Sequence, residues 1–135
     1  MSKQDEAALI LKLYELHKED SMRKARDWYF RDFNPHSIAS FNEGMFSEHS
    51  GQLRALVAYW DMAAALVNEG AISLDLFNKT HTEHIVVFAK IEPLLKEIRE
   101  AFVPDFAVHL EKLIDATPDG RNQVAKARAR MKGLR

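Results

Sequence analysis

Residues 55–68 read ALVAYWDMAAALVN, and Asp61 is the one charge among the fourteen. A carboxylate in such company can move a proton, hold a ligand, or form half of an ion pair. Burial disfavours its charged form unless a partner compensates. On a helical wheel of about 100° per residue, Arg54, Asp61 and Asn68 fall on one line, with Ala58 and Ala65 beside them. They form a polar strip about 100° wide on a helix that is otherwise apolar all round. Positions 57, 58, 64 and 65 are Val, Ala, Ala and Ala, so Asp61 has no partner on its own helix. The strip is expected to face water. If it is covered, Arg26 or Arg31, flanking DWYF, is the cation expected to reach Asp61. No nucleophile, second acid or histidine is tied to Asp61 by spacing, which disfavours catalysis there.

HTEH places His81 and His84 one helical turn apart, with Glu83 between them. Two such imidazoles begin a divalent-metal site if further ligands arrive from elsewhere. Neither HExxH nor Glu-x-x-His accompanies them, so no metal and no cofactor is expected; a solvated helix start is the simpler reading. The C-terminal stretch RNQVAKARARMKGLR aligns Val124, Ala127, Met131 and Leu134 on one face and carries Lys126, Arg128, Arg130 and Lys132 elsewhere. A basic amphipathic helix of this kind can lie on nucleic acid or anionic lipid. It has no aromatic residue for stacking or anchoring. Docking on an acidic body, or fraying, is therefore favoured for it, and its loss is expected to leave a folded domain.

The 135 residues carry a net charge of −1, but residues 121–135 hold six Lys/Arg and no acid. The remaining 120 residues thus hold 13 bases against 20 acids. An acidic body with a basic tail is the compositional asymmetry of this chain. There are no cysteines, which excludes disulfides, thiolate metal sites and a cysteine nucleophile. No uncharged apolar run reaches membrane-spanning length, and the charged N-terminus does not resemble a signal peptide; a cytoplasmic location is expected.

The elements that must position these residues read as helices. Ala7, Leu11, Tyr14, Met22, Ala25 and Tyr29 keep helical spacing, which predicts one long amphipathic helix from Lys3 to about Phe33, weakened near Glu19 and Asp20. Asn34-Pro35 ends it. Ser37 caps a short segment that Gly44 interrupts. A central helix spans about 50–69, with Gly70 as its C-terminal stop. Ser73 caps a short turn of helix, and an apolar-rich helix covers about 82–102, kinked or divided at Pro93. Pro104 is expected in the first turn of a helix reaching Ala116, and TPDG is a turn before the basic helix. The expectation is all-α: a bundle of five to seven helices over residues 1–120, with 121–135 a C-terminal helix or tail of the same domain. Trp28, Tyr29, Phe30, Phe33, Phe41 and Phe46 read as core where the first two segments meet, with part of the group available for self-association.

MRKARDWYF with NPHS, then LVAYWDMAAALVNEGAISLDLF and FAKIEPLLKEIRE, resembles a bacterial family of small all-helical proteins known only as a domain of unknown function. The resemblance covers about residues 22–100. It implies an all-helical fold and a structural partnership of Trp60-Asp61 with Arg26, and it brings no activity or cofactor to transfer.

Function itself is not written in these residues. The leading reading is a non-enzymatic interaction module, a homo-oligomer or the partner of another protein. Binding of nucleic acid or an anionic membrane surface through the tail is the alternative. An enzyme or metal-binding protein using Asp61 or His81/His84 is the third reading.

Overall fold

Lys18 and Glu19 break the first predicted helix in two. The computed structural model describes residues 2–133 and shows α1 (Lys3–His17) and α2 (Asp20–Arg31) as separate rods. Glu19 adopts an extended conformation. The break is stabilised from a distance, because Arg26 Nη1 donates to the carbonyl of His17, the last residue of α1, at 2.7 Å. A guanidinium there offsets the negative end of the helix dipole.

Ser37 caps α3 (Ile38–Met45), accepting from Ser40 N at 3.1 Å. Gly44 lies inside α3 rather than interrupting it: a Cβ at this position would come within 2.7 Å of the Phe33 ring. The glycine thus permits close approach of α3 to the end of α2, not a bend. The central helix α4 (Ser50–Asn68) ends at Gly70, whose φ of +86° is cheap only for glycine. Ser73 caps α5 (Leu74–Thr80).

The predicted 82–102 helix is divided. α6 (Glu83–Ile91) passes through a 3-10 turn at Glu92–Leu94, containing Pro93, into α7 (Leu95–Ala101). Pro104 does not open the next helix, because α8 (Val108–Ala116) begins four residues later, after Ala107 in a left-handed conformation. α9 (Gly120–Gly133) completes the chain. The described residues therefore hold nine α-helical segments, more than the five to seven expected, because the first and fifth predicted helices are each cut in two.

Core packing follows the periodicity of α4. Leu53, Leu56, Val57, Trp60, Ala63, Ala64 and Val67 are all buried, and α4 packs against α8, α2 and α3. α6 is covered by α9, which buries Val124 and Ala127. Trp28, Tyr29, Phe33 and Phe41 join the core. Lys90 lies in α6 between apolar neighbours and is itself buried. Its ammonium donates to Tyr29 O and Phe33 O, each at 2.7 Å, and also to Phe30 O and Asn34 Oδ1. It closes the C-terminus of α2 at the point where Pro35 forces the chain out of the helix. No helix among the described residues is long and apolar enough to cross a membrane.

Candidate functional site

Four helices meet at the side chain of Glu83, the first residue of α6. Trp60 of α4 donates its indole N–H to Oε2 at 2.9 Å, and His17 Nε2, from the end of α1, donates to the same oxygen at 2.9 Å. Arg26 of α2 approaches Oε1 at 3.2 Å. The carboxylate is only partly exposed, as are His17 and Arg26. Charge-assisted bonds in such a setting are stronger than at an open surface. Around this knot lies a cleft of about 240 Å³ lined by Tyr14, His17, Trp60, Thr80, His81, Thr82 and Glu83. Tyr59, next to Trp60, donates its hydroxyl to Leu13 O at 2.5 Å. Burial, reinforced by the Glu83 charge, pushes the Tyr59 phenol up to about 12.

Both oxygens of Glu83 are engaged by donors from within the chain. The arrangement fixes α1 against the bundle rather than presenting a free carboxylate to a substrate. What α1 offers outward then becomes the relevant chemistry. Its inward side is Leu9, Leu13 and Leu16. Its outward side carries Ala7, Leu11 and Tyr14 along one line, with Leu11 61% and Tyr14 56% exposed. Tyr14 belongs to both features: it stands on the exposed line and edges the cleft.

The residues singled out from the sequence fall into different places. Asp61 does not meet Arg26 or Arg31. Its Oδ1 accepts the backbone N–H of Leu110 at 2.9 Å, in the first turn of α8. Ala107, which precedes that helix, supplies no side-chain cap, so Asp61 supplies one from α4. Seven residues on, Asn68 Nδ2 donates to His109 O at 3.0 Å. The polar strip therefore clasps α8 along its lower half, and only its upper end, with exposed Arg54, faces water as expected. Arg54 Nε reaches no farther than Ser50 O. Arg26 is taken by Glu83 and His17, and Arg31 is exposed.

His81 and His84 both pack on Trp60 and Phe77, but they do not form a solvated helix start. The His81 ring stacks on Phe77 at 4.5 Å, with Nδ1 held 2.8 Å from Thr80 Oγ1. His84 is 0% exposed and neither ring nitrogen has a hydrogen-bond partner. Burial lowers the pKa of both, that of His84 to about 3, with His81 adding to the effect. Among the described residues no three His, Asp or Glu side chains converge to hold a metal.

Of the basic tail, Arg128 is spent on Glu92 and on the carbonyl of Ala89. Lys126, Arg130 and Lys132 are exposed; Leu134 lies outside the described residues. Arg121, at the start of α9, contacts Glu92 and Glu111, each at 2.8 Å, and Asp115 at 2.6 Å. Its bond holds the Asp115 carboxyl below its usual range. At Glu111, burial pushes the pKa up, but hydrogen bonds from Arg121 and Arg99 outweigh it and the carboxyl titrates low.

Sequence reasoning missed Glu83 as a hub and Lys90 as a cap. A signal for Lys90 was present: one cation in the apolar run IVVFAKI, the mirror image of Asp61 in its own helix. Nothing local marks Glu83, because its three donors lie 66, 57 and 23 positions away.

A family model described as a domain of unknown function, DUF4760, matches residues 5–117. The chain belongs to this family. Nearly all of the helices just described lie within the DUF4760 match, including every residue of the Glu83 knot; α9 follows it yet packs into the same core. No curated protein and no solved structure matches the chain.

Proposed function

We propose that this DUF4760 protein is a non-enzymatic helical interaction module, working in the cytoplasm, that self-associates through the outward face of α1. One observation carries the reading: α1 is apolar on two sides, and its own bundle covers only one of them. Leu9, Leu13 and Leu16 face the core, while Leu11 and Tyr14 remain more than half exposed. Isolated apolar residues on a surface are ordinary, but a line of them on one helix face, rigidly held, is the form a protein-binding surface takes. The Glu83 knot supports this by fixing α1 at its C-terminal end, so that the stripe is presented without the entropy cost of ordering a loose helix.

Sedimentation of the wild-type protein at micromolar concentration tests the reading. A species heavier than the 15.5 kDa chain is expected, rising with concentration. A monomer over the whole range refutes it.

A second reading has its own support. Lys126, Arg130 and Lys132 stand exposed on α9 with no acid in that helix, which suits an anionic surface or nucleic acid. Its strength is reduced because Arg128 is neutralised by Glu92. Binding to a nucleic-acid duplex that falls steeply with salt, and is lost when these three are replaced, separates it from self-association.

A further inference from the structure

We propose that the association is head to tail: the α1 stripe of one copy seats on an exposed aromatic patch at Phe46, Phe102 and Val103 of the next. This rests on the self-association reading above and specifies its two surfaces. The patch lies where α3 and α7 end. Phe46 is 74% exposed and Val103 48%, and Phe46 packs on half-buried Phe102 with ring centroids 5.6 Å apart. Phe102 in turn meets the buried ring of Phe41 at 6.0 Å, so the patch stands on the core rather than on a loose loop.

The charges around the two apolar surfaces are opposite. On α1 the stripe Ala7, Leu11, Tyr14 is flanked by Lys3 at one end and Lys18 at the other, and the nearest acid, Glu15, one turn beyond Leu11, is paired with Lys12 at 3.7 Å. The Lys18 ammonium sits over the Tyr14 ring at 4.9 Å, which places a cation at the edge of the apolar contact. Beside the patch, the exposed side chains next in the chain are acidic: Glu43 and Glu48 about Phe46, Glu100 and Asp105 about Phe102 and Val103.

This contrast decides the geometry. A two-fold contact made by the stripe alone pivots midway between Ala7 and Tyr14, and an antiparallel pairing about that point sets Lys3 against Lys18 of the other copy. A two-fold contact of the patch alone gathers glutamates. Either isologous arrangement places like charges at the rim, whereas stripe on patch pairs lysines with carboxylates. Such a contact uses different surfaces on the two copies. It leaves one of each free on every pair, and it therefore grows into chains or closes into a ring.

The test uses two full-length variants, Leu11→Glu in the stripe and Phe46→Glu in the patch. Both positions are exposed, and an unchanged helical circular dichroism signal and melting transition confirm folding. Each variant alone is expected to sediment as a monomer at concentrations where wild type associates. Mixed in equal amounts they are expected to form a 1:1 heterodimer, because each retains the surface the other has lost. Association of Phe46→Glu at wild-type strength, or a mixture that stays monomeric while wild type associates, overturns the head-to-tail geometry and leaves self-association standing. A monomeric wild type overturns both. Wild type that is monomeric in buffer but binds phosphatidylserine vesicles through Leu11 assigns the stripe to lipid and also overturns the proposal.

Discussion

Replacing His84 by leucine is expected to make the domain more stable and less sensitive to acid. The ring is fully buried against Phe77, at 4.9 Å between centroids, and Trp60, at 5.7 Å, with both nitrogens unpartnered. An unsatisfied buried polar group costs about 1–3 kcal/mol, while the aromatic contacts that leucine forfeits are worth about 0.5–1.5 kcal/mol. A net gain of about 1 kcal/mol at pH 7 follows. The pH effect is larger. Burial depresses the folded-state pKa from 6.5 to about 3, so below pH 6.5 the unfolded chain takes up a proton that the folded chain refuses. Stability contributed by this group is whole above pH 6.5 and declines toward pH 3 at about 1.4 kcal/mol per unit. Between pH 7 and pH 5 the loss comes to about 2 kcal/mol. His81 is shifted in the same direction and adds to the wild-type slope, but it is retained in the variant. Urea unfolding at pH 7, 6 and 5, done on both proteins, measures the difference. Equal pH slopes in the two proteins would refute the reasoning, as would a leucine variant weaker by more than about 2 kcal/mol at pH 7.

Asp61→Ala is expected to cost about 1–2 kcal/mol, the value of a helix cap, whereas Asp61→Asn keeps an acceptor for Leu110 N and costs less than 1 kcal/mol. Neutralising Arg26 in addition should give no rescue, because Arg26 serves Glu83; rescue in a double-mutant cycle on urea unfolding would restore the ion-pair reading. Deleting residues 121–135 is expected to cost about 3–5 kcal/mol, since it uncovers α6 and removes buried Val124 and Ala127. A truncated protein with an unchanged urea midpoint would make α9 an appendage, as its few large apolar groups suggest from sequence.

The parts legible in the sequence were those set by neighbours along the chain. Ser37, Ser73 and Gly70 do locally what their types permit, and α4 matches its apolar periodicity almost residue for residue. The wheel located the polar strip of α4 correctly but could not say which element lies over it. α8 does, and that long-range fact also explains the misplaced start of α8. Pro104 is chemically suited to a first turn, yet Arg99 takes the Phe106 carbonyl, and Asp61 provides its cap only at Leu110. The first turn forms where tertiary contacts satisfy its N–H groups, not at the earliest residue that tolerates it. The sequence marks a weak point at Glu19 and Asp20, but the full break there is closed from a distance, since the donor that ends α1 is Arg26.

The lone charges of this chain share one logic. A fold cut into nine helices among its described residues has many helix ends, and each end leaves several backbone groups without intrahelical partners. Local caps serve some of these ends, and distant side chains serve others with the sign the helix dipole favours. The carboxylate of Asp61 meets the N-terminus of α8. Cations meet the C-terminal carbonyls of three helices: Arg26 at α1, Lys90 at α2 and Arg128 at α6. An ionised group surrounded by apolar neighbours would ordinarily invite a catalytic reading. Here its partner is another helix's backbone, so the chemistry these groups perform is assembly of the fold. Groups committed in this way are not free to act on a substrate. The large apolar side chains left exposed are Leu11, Tyr14, Phe46, Met62, Val103 and Val108, and the proposed contact between copies uses four of them, Leu11, Tyr14, Phe46 and Val103.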